Sequence, residues 1–446
     1  MAQLPLRARA LYASSSLGGE ALTQSRSVWL LYYYAPPEDA DLETLLPLGL
    51  VGALLFAGRL VEALDDALIG YWSDRTRSRL GRRLPFVLAA TPFWALFAVL
   101  LFAPPANASV AFTAAYFVLV LELHHFFGTL TSGPYEALLP EIARTSAERV
   151  SVVGLRVYFG AAGAAVGLVG SGLLVDRAGF TSMALVMALL ALVFRYLGIV
   201  GVWRQARAST TPATIPLGAA LRATFSNRPF LAFLPTFVLF QIGLQMLLAV
   251  LPFYVNAVLG VEDEGTWVAI LTAVAIGSML VAVPFFGRFA LRSSKRQAYS
   301  AAMLGAACLF PLLFFAGFVP GLSREAQILA TMVLVGAPLA GLYLFPATLT
   351  ADIVDYDGVR TGLRREATYY GTQNFVEKTA TAISPLVLVL LLLLGETTED
   401  PLGIRLVGPV AGLLVAVAYL LFRAYDLPDE VRAPIPVEPS AALGKP

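Results

Sequence analysis

Twelve apolar stretches, each long enough to cross a bilayer, follow one another along this 446-residue chain. They fall near 10–35, 43–72, 85–104, 109–139, 150–175, 180–203, 229–258, 265–288, 297–319, 326–350, 367–396 and 404–424, separated by Pro, Gly and charge clusters. In hydrocarbon every backbone polar group must be satisfied within its own segment, so runs of this length are helices. The fold class expected is therefore an all-α membrane protein of twelve transmembrane helices. A composition 58% hydrophobic and only 14% charged agrees with it. The longest polar connection, Arg204 to Arg228, divides the spans six and six. This predicts a first half at 1–203, a linker at 204–228, a second half at 229–425 and a Pro-rich, disordered tail at 426–446.

Arginine sets the orientation. The loops after the even-numbered spans carry RTRSRLGRR, Arg144 with Arg149, Arg204 through Arg228, RSSKR and GVRTGLRRE, whereas the alternate loops read PPEDADLE, PPANAS, VEDEG and GETTED. The positive-inside rule puts both termini in the cytoplasm of a cell whose bounding membrane, a bacterial inner membrane, holds the chain. No cleavable leader is read in MAQLPLRARALYASSSLGG. A net charge of +1 offers no basic face for nucleic acid, and the single Cys308 can form no internal disulfide. No HExxH, GxSxG or phosphate-binding motif is present, so no enzyme chemistry and no cofactor are expected.

The second span carries four charges, Arg59, Glu62, Asp65 and Asp66, in GRLVEALDDALIG. Each would cost about 2.5–3.5 kcal/mol at the centre of a bilayer, so each needs a partner or a task. Glu62 and Asp66 are one helical turn apart and project from one face, at about 6 Å separation. Two such carboxylates accept a shared proton, a small monovalent cation or an Arg. Arg59, one turn earlier, either balances the cluster when the ion has left or simply pairs with the acids to hold the bundle. Lys378 is the one lysine inside a span, and Glu377 beside it points about 100° away. His124 and His125 are the only histidines; adjacent on a helix, they point to different faces and do not suit a shared metal.

Several segments carry a resemblance. GYWSDRTRSRLGRR, Gly70 to Arg83, resembles the loop motif of the major facilitator superfamily, and GRFALRSSKR looks like a degenerate second copy without the Asp. LGGEALTQSRSVWLLYYY, RLVEALDDALIGYWSD, GTLTSGPYEALLPEI and ADIVDYDGVRTGLRREATYYGTQNFVEK together resemble, in order and spacing from Leu17 to Lys378, the glycoside-pentoside-hexuronide:cation symporter family; eukaryotic sodium-dependent lysophospholipid transporters share the pattern. The resemblance implies a major facilitator fold and symport of an organic solute with sodium or a proton by alternating access. It implies a cation site at Glu62, Asp65, Asp66 and Thr129, with Na+ at Glu62, Asp66 and Thr129. It implies a solute site at Glu20, Arg156 and Lys378, with Ser132, Glu136 and Tyr343 at further cavity positions. Ser132 and Glu136 stand where the melibiose-transporting member has an Asp and a sugar-stacking Trp, a departure that weakens a galactoside and leaves a lysophospholipid or other amphiphile as the alternative solute. A cytoplasmic gate is implied at Asp74, Arg82 and Arg83. Asp352 and Asp355, with Arg364 and Arg365, read equally as gate ion pairs or as a solvated loop. Arg26 receives no role from the resemblance. The expected partners are a small-molecule solute, a monovalent cation and the bilayer, with the chain monomeric. A non-transporting receptor or a membrane-embedded enzyme is the remote rival.

Overall fold

The computed structural model describes residues 4–76, 78–81, 83–143, 146–207, 227–261, 263–361 and 366–427. Its described residues are helical with short connections, and no strand occurs among them. The first half contains α1 (Leu6–Tyr34), α2 (Leu48–Arg75), α3 (Leu84–Leu100), α4 (Val110–Glu136), α5 (Ser146–Ala165) and α6 (Ser171–Arg207). The second contains α7 (Arg228–Ala249), α8 (Glu264–Arg292), α9 (Lys295–Leu309), α10 (Arg324–Thr361), α11 (Glu366–Thr381), α12 (Ile383–Leu392) and α13 (Leu402–Phe422). Side chains cap several starts. Ser109 accepts from the Phe112 amide at 3.3 Å, Asn227 from Phe230 at 3.3 Å and Ser294 from Gln297 at 3.1 Å.

The breaks have local causes. α5 runs through a π-helical turn, Val166–Gly170, into α6, and Gly179 interrupts α6 with φ 79°, ψ 171°, a backbone state that a Cβ would strain. The chain reverses there, so the predicted fifth and sixth spans are separated by a single residue. α11 and α12 are two parts of one rod interrupted at Ala382. Seven of the described helical runs are long and apolar enough to cross a membrane, Ser151–Arg204 counting as one across the Gly179 break. Their outward faces keep large apolar side chains in the open: Val281 is 80% and Phe285 65% exposed, as a lipid-facing surface requires.

The halves meet along two seams related by the order of the helices. α2 packs against α11 and α12, and α8 packs against the π turn and the start of α6, while α1 lies beside α7. At the second seam Gly172 and Gly265 face each other so closely that a Cβ on either would overlap the other's carbonyl oxygen. Asp176 accepts from the amides of Gly265 at 2.8 Å and Thr266 at 2.5 Å, capping the first turn of α8. Tyr32 donates to Glu264, whose other oxygen accepts from Asn256 at 2.7 Å. Beyond the outer end of the first seam, Asp39 accepts from the amide of Thr398 at 2.6 Å and from its hydroxyl.

Candidate functional site

Two cavities lie inside this frame, one of them polar. The polar one opens among the helices of the first half and is lined by Glu20, Ser132, Tyr135, Glu136, Arg156 and Arg195, with small polar residues of α1. Arg156 donates to Glu136 at 3.0 Å and to Ser16 at 3.4 Å, while Glu20 accepts from Gln24 at 3.4 Å. Gly163 and Gly167 bring α5 onto α1 at Leu17 and Ala21, which sets Arg156 and Glu20 on the same cavity wall. Four of the six solute-site residues expected from sequence, Glu20, Ser132, Glu136 and Arg156, thus share one cavity.

Lys378 and Tyr343 stand elsewhere. The Lys378 ammonium lies 3.9 Å from Glu62 across the α2–α11 seam. Tyr343, half exposed, meets Phe240 edge to face at 5.9 Å between centroids. Glu377 accepts from Gln241.

The residues expected at a cation site are described in part. Arg59 bonds Glu62 at 2.9 Å. Thr129 is buried on α4, one turn beyond His125, whose ring faces Glu62, so its hydroxyl is on the α2 side of the helix. The side chains of Asp65 and Asp66 lie outside the described residues. So do those of Asp74, Arg82, Arg364 and Arg365 among the gate positions. Arg83 is buried. Asp352 makes a two-oxygen pair with Lys295 at 2.7 and 2.8 Å, tying α10 to α9 within one half, and Asp355 is exposed. Among the described residues Asp352 therefore pairs with Lys295 of the RSSKR run.

Two features escaped that reading. Arg195, the only charge between Phe180 and Val202, is buried in the wall of the first cavity; it donates to Ser132 at 3.2 Å and lies over the rings of Tyr135 at 4.6 Å and Trp94 at 5.5 Å. A lone Arg in an apolar span was the available signal. The second is the pairing of Arg26 with His125. The guanidinium can only donate, so His125 Nε2, 2.8 Å away, accepts and its Nδ1 carries the proton, 3.9 Å from Glu62. His124 instead meets the Trp94 carbonyl at 3.2 Å, so the two histidines serve different neighbours, and no cluster of three metal-ligating side chains occurs among the described residues.

Comparison with known proteins fits this geometry. The profile described as MFS/sugar transport protein matches residues 11–420. An uncharacterized symporter of Synechocystis sp. is 24% identical over 95% of this chain and 87% of its own length. The isoprimeverose transporter of Lactiplantibacillus pentosus is 24% identical over 83% of this chain and 76% of its own. The crystal structure of the nucleoside transporter NupG superposes with a TM-score of 0.64 at 14% identity, covering 95% of this chain and 100% of that one, a likeness of fold. With the profile match spanning nearly all the helices, this chain belongs to the MFS/sugar transport protein family and is a membrane transporter, not an enzyme.

Proposed function

We propose that this transporter is a cation-coupled symporter that moves a hydroxyl-rich solute, a sugar or glycoside, by alternating access, with twelve membrane helices and both termini in the cytoplasm. Residues 1–203 and 229–425 are its two halves and 204–228 the cytoplasmic linker. The observation that carries the reading is an open polar cavity holding Glu20, Arg156 and Glu136, in a chain whose α2 also sets the Glu62 carboxylate between Arg59 and Lys378. Carboxylates and guanidinium groups each engage two neighbouring hydroxyls in a fixed plane, which suits a polyol. Glu62 and Asp66, with the Thr129 hydroxyl and Asp65, supply the oxygens for sodium or the site for a proton. Arg59 and Lys378 balance the acids when the ion has left, so the empty carrier returns without a bare negative charge in the membrane.

Coupling is reciprocal: cation and solute each raise the other's affinity by one factor. In proteoliposomes Asp66→Asn and Glu62→Gln abolish cation-stimulated uptake of methyl β-D-xyloside or methyl β-D-glucoside while some cation-independent binding persists. Thr129→Ala weakens stimulation by sodium more than by protons, because a proton needs no oxygen cage. Full cation-dependent, uphill transport by Asp66→Asn would reduce the cluster to a structural ion pair. A reporter fused at Ala442 reads as cytoplasmic; the opposite signal ends the twelve-helix, both-termini-inside topology.

A further inference from the structure

Two acids near the middle of the molecule, one from each half, stand apart from the carboxylates of α2. Three odd-numbered spans bring them to one depth: counted from the starts of α1, α7 and α11, Glu20, Gln241 and Glu377 lie about 17–21 Å along the helix. Each half presents its acid in the same way. Glu20 accepts from the side-chain amide of Gln24 at 3.4 Å, and Glu377 accepts from that of Gln241. Tyr343 stands beside both. Its ring meets Phe240, the neighbour of Gln241, edge to face at 5.9 Å, and its hydroxyl lies within electrostatic reach of Glu20 and of Glu377, as the two acids lie within reach of each other. The charged groups around them are engaged elsewhere. Arg156 pairs with Glu136 at 3.0 Å, Arg195 donates to Ser132 at 3.2 Å and lies over the rings of Tyr135 and Trp94, and Lys378 faces Glu62 at 3.9 Å. Among the described residues neither Glu20 nor Glu377 has a basic side chain within ion-pair distance. One acceptor next to them is unfilled: Gln24 Oε1 is buried with no donor on it among the described residues.

We propose that Glu20 and Glu377 form a carboxyl pair that shares one proton across the two halves, a proton site separate from the ion site on α2. Its part in transport rests on the symport reading; its existence does not. Two carboxylates in each other's field and without a counter-charge hold one proton between them more readily than two negative charges. A proton on Glu20 also supplies the donor that the Gln24 carbonyl lacks. The transfer is simple. A hydronium ion in the water of the open cavity gives up its proton, an O–H bond forms on one carboxyl oxygen, and the other acid accepts from it; on release the proton returns to water. Because the acids belong to different halves, a movement that parts the halves leaves two separate carboxylates, and the proton departs. Loading is thereby tied to the approach of the halves, and one proton crosses with the solute in addition to the ion on α2.

The test reads the proton itself. Infrared difference spectra of the purified full-length chain in sodium-free buffer follow the carbonyl band of a protonated carboxyl between about pH 6 and 9, a window in which an isolated glutamate stays ionised. A Glu396→Gln background removes a group outside the pair that titrates in the same range. The band is expected to disappear across the window, to be absent throughout in Glu377→Gln and in Glu20→Gln, and to remain in Glu62→Gln and in Asp66→Asn. The double variant of Glu20 and Glu377 removes no more signal than either single one, the mark of one shared proton. Glu377→Asp keeps the acid, retains the band and controls for folding. Gly265→Leu, which forces α8 away from α6, should move the loss of the band about one pH unit lower, a tenfold weaker hold on the proton. A band that survives Glu377→Gln, that vanishes with Glu62→Gln, or that added sodium displaces at constant pH overturns the inference. An unmoved titration in Gly265→Leu overturns its tie to the two halves. No solute enters these measurements, so loss of cation-stimulated uptake would remove the symport reading and leave the band in place.

Discussion

The two seams that join the halves are built from opposite materials. Where α8 meets the start of α6, contact is made by backbone: Gly172 lies on Gly265, and Asp176 bonds two amides of α8. Where α2 meets α11 and α12, contact is made by side chains: Gly52 lies beneath Val389, and Glu62 faces Lys378 with Arg59 alongside. A backbone seam tolerates no change of volume and little sliding, since its atoms have nowhere to move. A charged seam tolerates change of volume but responds to what binds in it, because each ion or proton alters its balance. The first suits a stop, the second a sensor.

The largest effect expected from breaking this contrast is at the backbone seam. Gly265→Leu puts a branched side chain into the Gly172 carbonyl. Overpacking costs about 1–3 kcal/mol where neighbours can yield. With backbone as the neighbour the upper end applies, and closure of this end weakens by about 100-fold. Pulsed EPR between labels at Ala178 and Asp263, in a Cys308→Ser background, should then show a longer distance dominating, with uptake lost; an unchanged distance would mean that the glycine pair is incidental.

A smaller effect is expected at the charged seam. Arg59→Gln removes the 2.9 Å partner of Glu62 and should lower cation-stimulated uptake by about tenfold, the scale of one partly buried ion pair. Combined with Glu62→Gln, the second change should add little, a coupling of about 1 kcal/mol in a double-mutant cycle. Strict additivity would argue that the two groups work independently.

The smallest effect is a pH response at the outer end of the charged seam. Burial first, then Glu38 and Asp39, push the Glu396 carboxyl up from 4.5 to about 7. An acid raised in the folded state holds a proton there that the unfolded chain has released, so its influence favours the paired loops at low pH. That influence fades as pH rises from 4.5 to about 7 and is constant above. Glu396→Gln should flatten the dependence of hydrogen exchange at the Thr398 amide over this window; an unaltered slope would assign it to another group.

Much of this was legible in sequence, and the limits have physical reasons. Apolar run length marks helices because hydrocarbon leaves the backbone no alternative, so the break between the fifth and sixth spans fell within a few residues of Gly179. Charge within a span singles out Glu62 and Lys378, which face each other, while the family resemblance points to Glu20 and Arg156, which line one cavity. Partners were harder to see. Nothing in the local pattern joins Arg26 to His125, 99 residues away, or Lys295 to Asp352 across 57. Those pairings follow from helix rotation and tilt, which are fixed by glycine contacts such as Gly163 on Leu17 and not by the charges themselves.

The reversal at Gly179 has a mechanical meaning. Three residues before it Asp176 grips α8, and one residue after it Phe180 is wedged among Trp29, Tyr33 and Phe102, with centroids 5.6, 4.9 and 6.4 Å away. Thr181 donates to the Phe102 carbonyl at 2.6 Å, and Trp29 to Ser171 at 3.0 Å. A connector this short, pinned on both sides, has no slack. Releasing Asp176 from α8 must tug on α1 and α3 at once, and α6 carries that pull inward along its length to Arg195 in the cavity wall. The outermost bond of the backbone seam and an inner side chain of the cavity thus ride on one lever.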